Sequence, residues 1–191
     1  MTRLFWVRHG PTHAKSMVGW SDLPADLSDK AALLRLHDHL PQTAPVISSD
    51  LIRARATADA IAGARPRLPH DPDLREIHFG AWELQGFDTI SDQDHLRAFW
   101  EKPGDICPPG GESWHDISAR VDRAVTRLTQ ANHGGDLIVV AHMGAILTQL
   151  QKALRLSAYD TFAHRIDNLS VTELHLRDTG WHAAAINHHP T

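Results

Sequence analysis

Apolar residues occur in two kinds of run along this chain. Short β-type runs at LFWV (4–7), PVISS (45–49), LIVVA (137–141) and SVTELHL (170–176) predict β-strands. Longer segments with apolar residues three and four apart predict helices over Lys30 to Leu40, Arg53 to Ala62, Thr89 to Trp100, Glu112 to Ala131 and Gly144 to Leu154. In the fourth of these, Ile117, Val121, Val125 and Leu128 keep one apolar face. Strands alternating with helices predict an α/β layered fold, and the uninterrupted LIVVA suits a central strand covered on both sides.

Gly and Pro punctuate the chain at GARPRLP (63–69), KPGDICPPGGES (102–113) and ANHGGD (131–136), none of them long enough to act as a flexible linker. With 191 residues the expectation is one domain over residues 1–191, built on one sizeable core. A hydrophobic content of 42% and a charged content of 22% are those of an ordinary globular protein. The net charge is −4, and no block of Lys and Arg is present to follow a nucleic-acid backbone or an anionic bilayer, so neither partner is expected. No stretch approaches the roughly 20 apolar residues of a spanning helix, and the opening run, Leu4 to Val7, is far short of a signal-peptide core; a cytoplasmic location is expected. The lone Cys107 excludes an internal disulfide and a multi-cysteine zinc site, and reads as an ordinary loop thiol.

In open α/β sheets, ligands gather beyond the carboxyl ends of the strands. That rule selects Arg8 and His9, immediately after LFWV, and His142, immediately after LIVVA. If the two strands are central and parallel, both imidazoles emerge at one edge. The segment SSDLIRARATADA (48–60) reads as a strand end, a helix cap at Asp50 and a helix carrying Arg53 in its first turn. A helix start favours anions, and a guanidinium there adds a planar fork matched to two phosphate oxygens.

Five segments, VRHG (7–10), SSDLIRARATA (48–58), LREIHFGAWE (74–83), PGGES (109–113) and VVAHMG (139–144), resemble in order and rough spacing the histidine phosphatase superfamily, also called phosphoglycerate mutase-like. The resemblance spans about residues 4 to 145. It implies a three-layer αβα sandwich around a central, mostly parallel sheet, and a metal-independent histidine acid-type phosphatase that needs no cofactor. His9 then corresponds to the nucleophile that becomes a transient phosphohistidine, a role that requires an uncharged ring with a free nitrogen lone pair. Arg8 and Arg53 disfavour protonation of that ring, and a backbone carbonyl on the other nitrogen fixes its tautomer. Arg8, Arg53 and His142 correspond to the phosphate pocket, and Glu76 to the acid that protonates the leaving oxygen and then activates water. Thr12 matches a hydroxyl position that either donates to a phosphate oxygen or caps a turn. Glu83 matches a position given a structural role, and Trp20 forms either an apolar wall at the entrance or part of the core.

Three departures from the family pattern stand out. Lys15 occupies the place of a common Asn, Met143 that of a glycine after the second histidine, and Leu84 that of a glycine after Trp82 and Glu83. Of the other histidines, His37 and His39 are about 200° apart on a helix and cannot share an ion; His188 and His189 read as a frayed tail, and His78 as structural. The implied substrate is a small soluble phosphate ester; α-ribazole phosphate, handled within the phosphatase branch, and sugar phosphates are candidates. The alternatives are a phosphoglycerate mutase-type transferase, which generally carries a longer insertion between the counterparts of Glu76 and His142, and a non-catalytic module that binds phosphorylated ligands. Homodimers are common in the family, although no surface feature here demands a homodimer.

Overall fold

A computed structural model describes residues 2–191. Five strands, β1 (Thr2–Arg8), β2 (Val46–Ser48), β3 (Asp136–Ala141), β4 (Val171–Arg177) and β5 (Gly180–His188), form one sheet in the order β2-β3-β1-β4-β5. β2, β3 and β1 are parallel, whereas β4 and β5 extend the sheet antiparallel. The helices are α1 (Lys30–His39), α2 (Ile52–Ala62), α3 (Gln93–Glu101), α4 (Trp114–Ala131), α5 (Met143–Leu154) and the single turn α6 (Ala158–Thr161).

The pleat of the central strands divides the core. Leu4, Trp6, Leu137 and Val139 face the side packed by α3, α4 and α5, while Phe5, Val7, Ile138 and Val140 face α1 and α2. Both faces being covered is why LFWV and LIVVA are apolar without alternation. α4 starts at a capping box: Ser113 Oγ accepts from the Asp116 amide, and Asp116 Oδ2 accepts from the Ser113 amide.

Several expectations need correction. Asp50 does not cap α2: the helix is entered through Leu51, its Ile52 amide donates to Asp22 Oδ1 at 2.6 Å, and Asp50 is paired with Arg75. The helix expected over Thr89 to Trp100 is split, with a short 3₁₀ turn at Phe87–Thr89 and a fresh start at Gln93, because Asp92 accepts from the His95 amide. β5 is an additional strand, so His188 is no frayed tail: its ring lies 4.7 Å from that of His39, and His189 pairs with Asp167.

Candidate active site

The parallel pairing of β1 with β3 places Arg8 opposite Ala141, so the next residue of each strand, His9 and His142, leaves the sheet at the same edge. The two rings meet at a centroid distance of 4.9 Å, tilted by 57°. The His9 amide donates to the Ala141 carbonyl at 3.1 Å, and Asn168 Nδ2 donates to the His9 carbonyl at 2.7 Å, so the backbone here is held from both sides.

His9 is 6% exposed, and its two nitrogens have different partners. Nδ1 lies 2.7 Å from the Gly10 carbonyl, which can only accept; Nδ1 therefore carries the hydrogen. Nε2 carries the lone pair, which accepts a hydrogen bond from Arg53 Nε at 3.3 Å. Burial, assisted by Arg53, lowers the His9 pKa from 6.5 to about 3, so the ring is neutral over the physiological range. The Gly10 turn is fixed by Thr57 Oγ1, which accepts from the Gly10 amide and donates to the Arg53 carbonyl.

Arg53 is almost wholly buried, and its other guanidinium nitrogens donate to the carbonyls of Ser21 and Gly19. That loop is in turn gathered by Glu83, whose carboxylate accepts from the amides of Gly19, Trp20 and Phe79 and from the Ser21 hydroxyl. Burial raises the Glu83 pKa, but these hydrogen bonds outweigh it and leave the group below its ordinary value. Glu83 is thus structural, as expected. Arg8 donates through Nη1 to the Ile166 carbonyl, and its buried Nε has no partner among the described residues.

Glu76 is held by both oxygens: Oε1 accepts from the Ile77 amide at 2.9 Å and Oε2 from the Gly144 amide at 3.1 Å. A Cβ at residue 144 would lie 2.2 Å from Oε1, so this approach requires glycine. Behind it, Arg120 forms a bidentate pair with Glu112 and donates to the carbonyls of Asp73, Arg75 and Glu76, while Glu112 accepts from the His78 amide. Trp20 neither walls the entrance nor enters the core: its ring lies against the Arg75 guanidinium and the His78 ring, and it donates through Nε1 to the Glu76 carbonyl.

Arg8, His9, Thr12, Arg53 and Glu76 line one cleft of about 210 Å³, together with Met17, Val18, Phe79, Phe87, Trp100 and Met143. His142 is brought against His9 but is fully buried and does not line the cleft. Its Nε2 is 2.7 Å from Ser49 Oγ, while Nδ1 is buried without a partner among the described residues. Ser49 Oγ accepts from the Leu51 amide and keeps both a hydrogen and a second lone pair for His142 Nε2, so the contact suits either tautomer of the ring. Burial, with His9 and Arg53 adding to it, holds the His142 pKa well below its ordinary value. Thr12 lines the cleft and its Oγ1 also accepts weakly from the Ala14 amide at 3.4 Å, so both expected roles retain a structural basis.

Sequence reasoning missed Ser49, Thr57, Asn168, Glu112 and Arg120. Ser49 and Thr57 lie within the recognised SSDLIRARATA segment and Glu112 within PGGES, but their partners are distant in the chain. Among the described residues no group of three or more His, Cys, Asp or Glu side chains is arranged to hold a metal ion, and no helix is long and apolar enough to cross a membrane.

The departures also find their places. Lys15 is exposed and outside the cleft. Met143 begins α5 in helical conformation and turns its side chain to the cleft, so the tight approach is met by Gly144 alone. Leu84 adopts φ 61°, the left-handed conformation that favours the family's glycine, and lies outside the cleft.

Comparison with known proteins places the chain among its relatives. The bifunctional protein Rv2228c of Mycobacterium tuberculosis is 32% identical over an alignment covering 91% of this chain and 50% of that protein, so the chain spans about half the length of the relatives it matches at this level. The adenosylcobalamin/alpha-ribazole phosphatase of Salmonella typhimurium is 29% identical, with 86% of both chains covered. The solved structure of Bacillus stearothermophilus YhfR superposes with a TM-score of 0.88 at 27% identity, covering 97% of this chain and 96% of that one. The family model of the histidine phosphatase superfamily (branch 1) matches residues 4–189, and the chain belongs to that family.

Proposed function

We propose that residues 1–191 act as one catalytic unit, a metal-independent phosphomonoesterase for a small soluble phosphate ester working through a phosphohistidine. The observation that carries this reading is the state of His9: uncharged, its hydrogen tied to the Gly10 carbonyl, its unprotonated Nε2 in a cleft with Arg8, Arg53 and Glu76. The phosphoryl oxygens are gathered by Arg8 and Arg53, and Thr12 supplies a hydroxyl; His142 packs behind His9 and supports its ring from the buried side.

His9 Nε2 attacks phosphorus in line, forming the N–P bond as the ester P–O bond breaks. Glu76 delivers its proton to the departing alcohol oxygen. The resulting carboxylate takes a proton from water, whose oxygen attacks phosphorus, breaks the N–P bond and releases phosphate with His9 restored. The named activity of the Salmonella relative on alpha-ribazole phosphate supports a phosphatase and makes that ester one candidate substrate.

The test is hydrolysis of an aryl phosphate in the presence of a chelator, by wild type and by His9→Ala. Turnover by the wild type and its loss in the variant are expected. Undiminished turnover in His9→Ala contradicts the assignment, and tight phosphate binding without turnover would instead identify a binding module. Exchange between 2- and 3-phosphoglycerate faster than phosphate release would identify a mutase.

A further inference from the structure

Among the described residues, three of the large apolar side chains left exposed, Phe87, Met143 and Tyr159, converge on one surface. Phe87 and Met143, with Trp100, line the cleft that holds His9; the same three line a second groove of about 670 Å³ that continues past Tyr159 and Phe162. The two hollows therefore share a wall. That wall is preorganised, because Trp100 is packed edge-on against Phe99 at 4.9 Å and Phe162 at 5.6 Å.

Charge sharpens the reading. Among the described residues, the only Lys or Arg side chains lining the cleft are Arg8 and Arg53, both assigned to the phosphoryl group, and the groove is lined by neither Lys nor Arg. Its ionisable groups are Asp160, His164 and the phenol of Tyr159. An alcohol carrying a carboxylate or a second phosphate would thus meet no Lys or Arg beyond the phosphoryl pocket and would approach the carboxylate of Asp160. An apolar alcohol would instead remove Phe87, Met143 and Tyr159 from water, at about fourfold in affinity for each methylene fully buried.

We propose that this groove receives the apolar part of the substrate's alcohol, so that the preferred substrates are phosphomonoesters of alcohols bearing an apolar chain or ring. The assignment rests on the phosphomonoesterase reading above for its turnover, but not for its binding. Ethyl and octyl phosphate test it, since their leaving oxygens are chemically alike and they differ in apolar surface.

Wild type should favour octyl over ethyl phosphate by at least about tenfold in kcat/KM. Tyr159→Ser and Ala163→Asp, both at exposed positions of the groove, should remove most of that preference while leaving ethyl phosphate hydrolysis within about twofold. Calorimetric binding of the two esters to His9→Ala should show the same preference without turnover. Equal handling of both esters by wild type, in hydrolysis and in binding, overturns the groove assignment and leaves the phosphatase reading standing. The binding preference without any turnover by wild type has the opposite meaning. If the chain sediments as a dimer that Tyr159→Ser dissociates without altering ester preference, the groove is a contact between copies and the proposal fails.

Discussion

Arg53 Nε points at His9 Nε2 across 3.3 Å, with the opposite edge of the imidazole fastened to the Gly10 carbonyl. A protonated ring would have to surrender that contact and face the guanidinium as a like charge inside a buried site. The folded pKa is consequently about 3, against 6.5 for a free histidine.

Folding stability should follow from this with a defined sign. The unfolded chain binds a proton near pH 6.5 that folded His9 refuses, so the ring's contribution is whole above 6.5 and drains away as pH falls toward about 3. Buried His142 acts in the same direction. Chemical denaturation at about pH 7 and about pH 5 should show His9→Gln losing less stability on acidification than wild type. In NMR titrations His9 should remain the neutral Nδ1–H tautomer through that range; a ring that titrates near 6.5 contradicts the assignment.

Gly144 offers a separate test of the acid. Gly144→Ala places a methyl group where Glu76 Oε1 now lies, and the carboxyl must turn away from the amide that holds it. Positioned proton donors typically contribute about 10²–10⁴-fold to rate, and they matter most when the leaving oxygen is strongly basic. Alkyl phosphate hydrolysis should therefore fall by about a hundredfold or more, with p-nitrophenyl phosphate much less affected. An equal loss on both esters would point to general damage rather than a displaced acid.

How much of this could be read in the chain depends on how local the cause is. His9 and His142 were legible because two continuous apolar strands end directly in them, and parallel register does the rest. Glu76 lies in irregular backbone, and only its resemblance to a family motif singled it out. The clasp of Arg120 and Glu112 behind it joins a helix to loops whose approach no periodicity reports. β5 escaped notice for a different reason: GWHAAAINH is poor in β-branched residues, and pairing with β4 rather than intrinsic preference makes it a strand.

Leu84 carries a departure whose consequence is energetic. At φ 61° it occupies a conformation that costs an ordinary residue roughly 1–2 kcal/mol, and its side chain is 53% exposed. Leu84→Gly relieves that cost but adds freedom to the unfolded chain, so the net gain should be about 0.5–1 kcal/mol in chemical denaturation. Because Leu84 lies outside the cleft, kcat/KM should be unchanged. A destabilised variant would show that the side chain makes contacts worth more than the backbone strain.

The central claim is that His9 itself carries the phosphoryl group, and rapid acid-free quenching of the protein with labelled substrate, followed by peptide mapping, tests it most directly. The account predicts an acid-labile, base-stable phosphoryl group on the peptide containing His9, formed and discharged at rates consistent with turnover. Label on another residue, or steady hydrolysis with no phosphorylated protein and no loss in His9→Ala, would contradict it.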